Sequence, residues 1–385
     1  MKQTSYIELS KKALEKNIKY LKKLIGDKVK IVSVIKANAY GHGIQQFVPL
    51  AEKCGIDYFA TFDIYEAEKT LKAKKESTDL MVMGFTDYDN IPWLINHDIS
   101  FFISNIKKLN KAILFAKKIE KPARIHIEIE TGLHRTGIEK NNLKKVAQII
   151  KKNESLLQLE GLCTHYAGAE SISNYVRIHE QKNTFNEIKK WFIKNDINFR
   201  YCHTACSAAA IMYPETRMDM VRIGLAQYGY WPSKETKIHK LLSDNARYSK
   251  DPIKQILSWK SKVMDIKTVP PGEFIGYGHE YLADHITHIA IIPVGYFHGY
   301  RRSLSNVGHV LIHGKEAPII GMVNMSMMIT DISKIHNVQI NDEVVLIGKQ
   351  QKKMISVASF SERLNLVNYE FLTRLPMQIP RYVVK

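Results

Sequence analysis

The feature that most constrains this chain is an alternation that starts near residue 31 and continues to about residue 230, in which short apolar runs recur between amphipathic stretches. Eight runs read as strands: Ile31–Lys36, Tyr58–Phe62, Leu80–Gly84, Ser100–Ser104, Arg124–Ile129, Leu159–Thr164, Phe199–His203 and Met220–Ile223. The segments between them read as helices. Asn142–Lys152 sets Leu143, Val146, Ile149 and Ile150 close to a 3.6-residue period, Tyr175–Lys194 is a longer candidate, and Asn17–Ile25 precedes the first strand. Strands that alternate with helices pair in parallel beneath a helical cover. Eight such units in about 200 residues is the count of a (β/α)8 barrel of the TIM type, whose chemistry sits at the C-terminal ends of the strands. Polar groups collect at those ends here: Lys36 at the first, Arg135 after the fifth, His165 at the sixth, His203 to Ser207 at the seventh and Arg222 to Leu225 at the eighth.

The pattern changes near Pro252. Ile289–Val294, Val310–His313, Ile319–Val323 and Val344–Ile347 have β character and are punctuated by glycine and proline. The chain of 385 residues exceeds one typical core. It therefore reads as an α/β protein with a barrel domain over residues 1–245 and a mostly-β domain over 246–385, the polar segment Ser233–Lys250 joining them.

Composition narrows the classes of function. At 45% hydrophobic and 24% charged residues, the chain is an ordinary globular protein. No run of about 18 apolar residues offers a membrane span, and Met1 to Glu8 lacks the apolar core of a secretory signal. Cys54, Cys163, Cys202 and Cys206 have neither metal-site spacing nor disulfide density. These features predict a cytoplasmic protein with no membrane partner and no bound metal. The net charge of +18 raises the question of nucleic acid. However, the lysines are dispersed as pairs such as Lys11-Lys12, Lys22-Lys23, Lys117-Lys118, Lys144-Lys145 and Lys151-Lys152, which reads as a solvated surface.

Two stretches carry chemistry on their own residues. In Val32-Ser33-Val34-Ile35-Lys36-Ala37-Asn38-Ala39-Tyr40-Gly41-His42-Gly43, an apolar run delivers one ammonium group into a glycine-bearing loop. Desolvation lowers a lysine pKa and yields a neutral amine able to form a Schiff base with an aldehyde. Tyr40 adds a hydroxyl in the same loop. In Arg222-Ile223-Gly224-Leu225, glycine lets backbone N–H groups approach a phosphate closely. Ser207, within His203-Thr204-Ala205-Cys206-Ser207-Ala208-Ala209, can donate its hydroxyl to the same phosphate.

These motifs closely resemble those of the alanine racemase family. The resemblance extends from Ile7 to Arg381. It takes in Thr131-Gly132-Leu133-His134-Arg135, Thr164-His165-Tyr166-Ala167, Gly276-Tyr277-Gly278 and Gly321-Met322-Val323-Asn324-Met325, and the ending Tyr369-Glu370 through Ile379-Pro380-Arg381. It implies pyridoxal 5'-phosphate on Lys36, with Tyr40, Ser207, Arg222, Gly224 and Leu225 holding the cofactor. Arg222 would face the pyridine nitrogen. A guanidinium, with a pKa above ~12, cannot give that nitrogen a proton, which weakens the ring as an electron sink. Tyr277 would be a second base that reaches the cofactor of the other subunit, so the resemblance implies a homodimer with shared sites. A free tyrosine titrates near ~10, so such a base needs positive charge close by. His165 would hydrogen-bond that tyrosine and communicate with Arg222. Arg135 and Met325 would bind substrate, the guanidinium holding its carboxylate, and Tyr296 would line the entrance.

The implied activity is racemisation of a small amino acid, L-alanine to D-alanine, with Lys36 and Tyr277 on opposite faces of Cα, in supply of a bacterial wall. The alternatives are a serine or broad-specificity racemase, a decarboxylase of a basic amino acid, and a non-enzymatic cofactor carrier, which the residues after 250 argue against. Four positions depart from the family pattern: Ser326 for aspartate, Met377 for tyrosine, Cys206 for asparagine, and Glu128 for a lysine that becomes carbamylated. The first three suit a larger or more polar substrate side chain. Glu128 would supply the carbamate's negative charge directly.

Overall fold

The structure, a computed structural model, describes residues 3–243, 251–363 and 368–385. It divides into two compact units. One comprises residues 15–37 and 47–254; the other comprises 1–14, 38–46 and 255–385. The expected junction between residues 245 and 246 lies outside the described residues. The polar connector begins as the helix Lys234–Ser243, and its last part also lies outside them.

The first strand of the chain, β1 (Ser5–Ser10), belongs to the second unit. The barrel strands are β2 (Lys30–Val34), β3 (Tyr58–Thr61), β4 (Asp79–Val82), β5 (Ser100–Ile103), β6 (Ala123–Glu128), β7 (Leu157–Cys163), β8 (Tyr201–His203) and β9 (Met220–Ile223). They form one parallel sheet in the order β8-β7-β6-β5-β4-β3-β2-β9. A parallel bridge between Cys206 and Arg222 draws the two ends toward closure, with the Arg222 N–H donating to the Ala205 carbonyl at 2.9 Å. The eight-stranded barrel expected from the alternation is therefore present. Strands covered on both faces read as unbroken apolar runs, and β3, β5 and β6 are buried along their whole length.

Helix boundaries follow local chemistry. Asp63 caps Ile64–Ala73 by accepting from the Glu66 N–H at 2.9 Å, while the Glu66 carboxylate accepts from the Phe62 N–H at 3.0 Å. Asn105 caps Ile106–Ile119 through the Lys108 N–H. Leu143–Lys152 buries Leu143, Val146, Ala147 and Ile150. Ala147 thus takes a place on the inner face that the periodicity gave to Ile149, which is only half-buried. At the N-terminal end of the barrel, Arg124 bonds the fully buried Glu160 at 2.9 Å and Asp79 and Asp98 at 3.1 Å each. Charges at this end serve stability rather than chemistry.

The second unit is mostly β, as expected. Its strands are β10 (Leu257–Lys262), β11 (Asp265–Val269), β12 (Thr287–Ile292), β13 (His309–Ile312), β14 (Lys315–Pro318), β15 (Met328–Asp331), β16 (Glu343–Gln350), β17 (Lys353–Ile355) and β18 (Arg381–Val384). One sheet has the order β14-β13-β16-β10-β1-β18, with β17 beside β16; the other has the order β11-β12-β15. β1 lies antiparallel to β10 and parallel to β18. Ile319–Val323, expected as a strand, is instead a connection that makes a single bridge from Ile319 to Thr330. Gly321 turns the chain there at φ +68°, with the Ile275 carbonyl oxygen 2.5 Å from where a Cβ would sit. Among the described residues no helix is long and apolar enough to cross a membrane.

Candidate active site

Six of the barrel positions singled out in the sequence come to the C-terminal ends of the strands, as expected. Lys36 follows β2, Arg135 follows β6, His165 follows β7, Ser207 follows β8, and Gly224 and Leu225 follow β9. Arg222 lies within β9 and is buried. Its guanidinium donates to the carbonyls of Thr164 at 2.7 Å, His203 at 2.9 Å and Thr204 at 3.1 Å, and to the Nδ1 of His203. Three carbonyls and an imidazole orient the cation without neutralising it. The Ser207 hydroxyl accepts from the Gly224 N–H at 3.0 Å, which ties the two phosphate-suited turns together and leaves the hydroxyl proton to be donated elsewhere.

Lys36 differs from the strand-end lysine read in the sequence. β2 stops at Val34, and Lys36 opens a single turn, Lys36–Tyr40, in which Ala37, Asn38, Ala39 and Tyr40 all have φ between 51° and 54°. That is the left-handed region, which costs an L-residue about 1–2 kcal/mol. The side chain keeps exposed surface. Even so, the surrounding protein and then the Arg135 guanidinium lower its pKa, with Glu66 and Cys206 opposing. The neutral amine required of a nucleophile is thereby favoured.

Asn38 to Gly41 belong to the second unit and are held by contacts within it. His42 Nδ1 donates to the carbonyls of Ala39 and Tyr40, both at 2.9 Å, and the Ile44 N–H donates to Asn38 Oδ1 at 3.0 Å. Arg381 donates to the Gly41 carbonyl through Nε at 3.2 Å and a terminal nitrogen at 3.0 Å. It also reaches the carbonyls of Pro376, Met377 and Ile379. At Gly41 a Cβ would meet the Leu372 carbonyl oxygen at 2.0 Å, so only glycine fits. Strain over-determined in this way marks a functional segment. Tyr40 itself stacks edge-on against Tyr369, with ring centroids 6.5 Å apart.

Two carboxylates on β6 and the loop after it surround Arg135 with different duties. Burial opposes ionisation of Glu130. The N–H of Gly132, then those of His134, Leu133 and Arg135, outweigh it and hold the carboxyl below its usual value. Glu130 therefore shapes the loop that carries Arg135, a role the sequence reading missed. Glu128 is buried, and burial raises its pKa against a hydrogen bond from Thr136 and the nearby cations of Arg135, Arg222 and Lys108. Lys108, also missed, is itself pushed down to about 8 by burial. A buried carboxyl thus stands near three cations where the family pattern has a modified lysine. Glu128→Gln is expected to raise KM about tenfold, the worth of one charge-assisted contact. Glu128→Asp should be milder, and added bicarbonate should change neither. Steady-state kinetics check this, and wild-type constants for Glu128→Gln would refute it.

His165 is partly exposed. Burial, then Arg222, Arg135 and Lys36, bring its pKa down to about 3, so the imidazole is neutral. Its carbonyl accepts from Gln181, which also bonds the Ala167 N–H and the Thr131 hydroxyl and so stiffens the β7 loop.

Tyr277, Tyr296 and Met325 lie in the second unit, and all three are exposed. Their loops are joined by backbone bonds from the Tyr296 N–H to the Asn324 carbonyl and from the Phe297 N–H to the Met325 carbonyl, both at 3.0 Å. Gly295 permits the approach, since a Cβ there would meet the Asn324 oxygen at 2.1 Å.

An amine, a hydroxyl beside a glycine turn, a guanidinium held by carbonyls and a second arginine thus stand at one end of a (β/α)8 barrel. Residues 9–232 match the alanine racemase N-terminal domain family and residues 256–383 the alanine racemase C-terminal domain family. An alanine racemase of Leptospira interrogans is 31% identical over 99% of this chain and 96% of its own. The alanine racemase structure of Bacillus anthracis with bound L-Ala-P is 28% identical, with TM-score 0.88, covering 100% of this chain and 96% of that one. The alanine racemase structure of Bartonella henselae carries covalently bound pyridoxal phosphate. It has TM-score 0.84 at 22% identity, spans 100% of both chains and speaks to the fold. The chain belongs to the alanine racemase family, whose members depend on pyridoxal phosphate.

Proposed function

We propose that this protein is a pyridoxal-phosphate-dependent alanine racemase that works by two bases. The observation that carries this reading is the amine of Lys36, held with a lowered pKa on a strained turn at the barrel end that also presents Arg135, Ser207 and Arg222. When bound, pyridoxal phosphate supplies an aldehyde for the substrate amine and a ring that withdraws electrons from Cα. Lys36 would hold that aldehyde through its amine. Ser207, Tyr40 and the Gly224-Leu225 turn hold the phosphate. Arg222 would donate to the ring nitrogen without giving up its proton. Arg135 would hold the substrate at its carboxylate.

Lys36 then moves a proton on one face of Cα and Tyr277 of the partner subunit on the other, so either hand can form. His165 orients Tyr277 of the partner subunit. The apolar side chains exposed on the second unit, among them Phe274, Leu282, Phe297 and Met327, support a homodimer. We assign the enzyme to the cytoplasm and to the supply of D-alanine for a bacterial wall.

Chiral chromatography after separate incubation with L-alanine, L-serine and L-lysine tests the reading. D-alanine should form fastest. Inversion of serine at a matching rate would favour the broader enzyme suggested by Cys206, Ser326 and Met377, and release of CO2 without inversion would overturn racemisation. The shared site has its own test. Lys36→Ala and Tyr277→Phe should each lose ~10³-fold or more in kcat. Mixing the two should restore activity in proportion to the mixed dimers formed; no recovery after verified subunit exchange would refute the sharing.

A further inference from the structure

The interior of the barrel contains a hydrogen-bonded chain that starts at Arg222 and leads away from the substrate. Arginine only donates, so His203 Nδ1, which receives Arg222, carries no proton. The proton of His203 is therefore on Nε2, which lies 2.9 Å from Nδ1 of His126. That nitrogen must accept, and the proton of His126 is on its Nε2, 3.1 Å from the Ser100 hydroxyl and 3.4 Å from the Tyr58 hydroxyl. Tyr58 and Ser100 are 2.9 Å apart, and Ser100 donates onward to the Leu80 carbonyl at 3.4 Å. The links from Arg222 through His203 to His126 thus each have one allowed direction, from the guanidinium inward, while between Tyr58 and Ser100 either hydroxyl can donate.

Three strands cooperate to build this chain. His126 is on β6, His203 on β8, and between them β7 presents Gly161, paired in register with His126 beside a bulge. A Cβ at Gly161 would lie 2.2 Å from His126 Nδ1 and 2.8 Å from His203 Nε2. The missing side chain is the space in which the two imidazoles meet. Phe102 packs against both rings, at centroid distances of 5.6 and 5.9 Å. Both histidines are fully buried, and burial holds both neutral.

We propose that His126 is a positioning residue for the cofactor: by accepting the Nε2 proton of His203 it locks the His203 tautomer whose bare Nδ1 aims the Arg222 guanidinium at the ring nitrogen. The inference rests on the cofactor site proposed above. It explains why a histidine and a glycine that touch no substrate face each other in the barrel interior. A carboxylate beside Arg222 would orient it equally well but would cancel its charge. A tautomer-locked imidazole orients it and leaves the charge intact.

The test uses His126→Leu, which removes the acceptor, and His126→Asn, whose Oδ1 replaces Nδ1. Gly161→Ala is added because it separates the rings while keeping both. In the parent without cofactor, 15N NMR of labelled histidine should find His203 protonated at Nε2. His126→Leu and Gly161→Ala should lose that signature and bind pyridoxal phosphate about tenfold more weakly, the effect of one lost buried hydrogen bond. His126→Asn should keep both the tautomer and the affinity. An unchanged His203 tautomer and affinity within twofold of the parent in folded His126→Leu would overturn the proposal. So would equal loss in His126→Asn and His126→Leu. A parent that binds no pyridoxal phosphate would instead overturn the cofactor reading, and this proposal with it.

Discussion

Lys36→Ala is expected to slow alanine racemisation by at least ~10⁴-fold while leaving the fold unchanged. On the reading proposed above, the same amine captures the cofactor aldehyde and moves a proton on one face of Cα. Its side chain is exposed and its removal opens no core cavity, so thermal unfolding should match the parent. Parent protein loaded with pyridoxal phosphate should absorb at the border of the visible and near-ultraviolet. Borohydride should then fix the label on Lys36, read by peptide mapping. Label on any other lysine would refute the assignment.

Acid should destabilise this protein well above the range where carboxylates titrate. His42, His126 and His203 are fully buried. Burial brings His42 and His126 down to about 3 and His203 well below its usual value. The folded pKa values are depressed while the unfolded chain titrates near ~6.5, so below that pH the unfolded state binds protons that the folded state refuses. Stability is intact above about pH 6.5 and falls as pH drops toward the folded values. Each histidine contributes about 1.4 kcal/mol per pH unit, so three remove ~4 kcal/mol per unit and ~6 kcal/mol by pH 5. That is comparable with the ~5–15 kcal/mol that holds a typical native protein together. Urea titrations between pH 5 and 8 measure it, and a flat profile from pH 7.5 to 5.5 would contradict the argument.

The barrel was legible because its strands are covered on both faces, which turns burial into unbroken apolar runs. Met220–Ile223 matches its run residue for residue, and the others differ only at their ends. The site was legible to the same depth: polar residues placed after those runs fall at one end of the barrel. Pairings across long sequence separations were not. Nothing in Ser5–Ser10 announces that it pairs with Leu257–Lys262 and Arg381–Val384 rather than with the barrel. The turn after Lys36 escaped because four consecutive residues without glycine give no hint of positive φ; it exists only because distant groups hold it. The role of His126 was not legible either, because it depends on the absence of a side chain at Gly161, one strand away.

The strained turn also dictates an order of events during synthesis. Gly41 and the arginine that clamps it are separated by 340 residues, so the contact cannot form until the chain between them has emerged. Until then Asn38 to Tyr40 lack that restraint and can relax toward ordinary backbone angles. A chain interrupted before Arg381 would lack the donors that hold the Gly41 carbonyl, and with them the end of the strained turn.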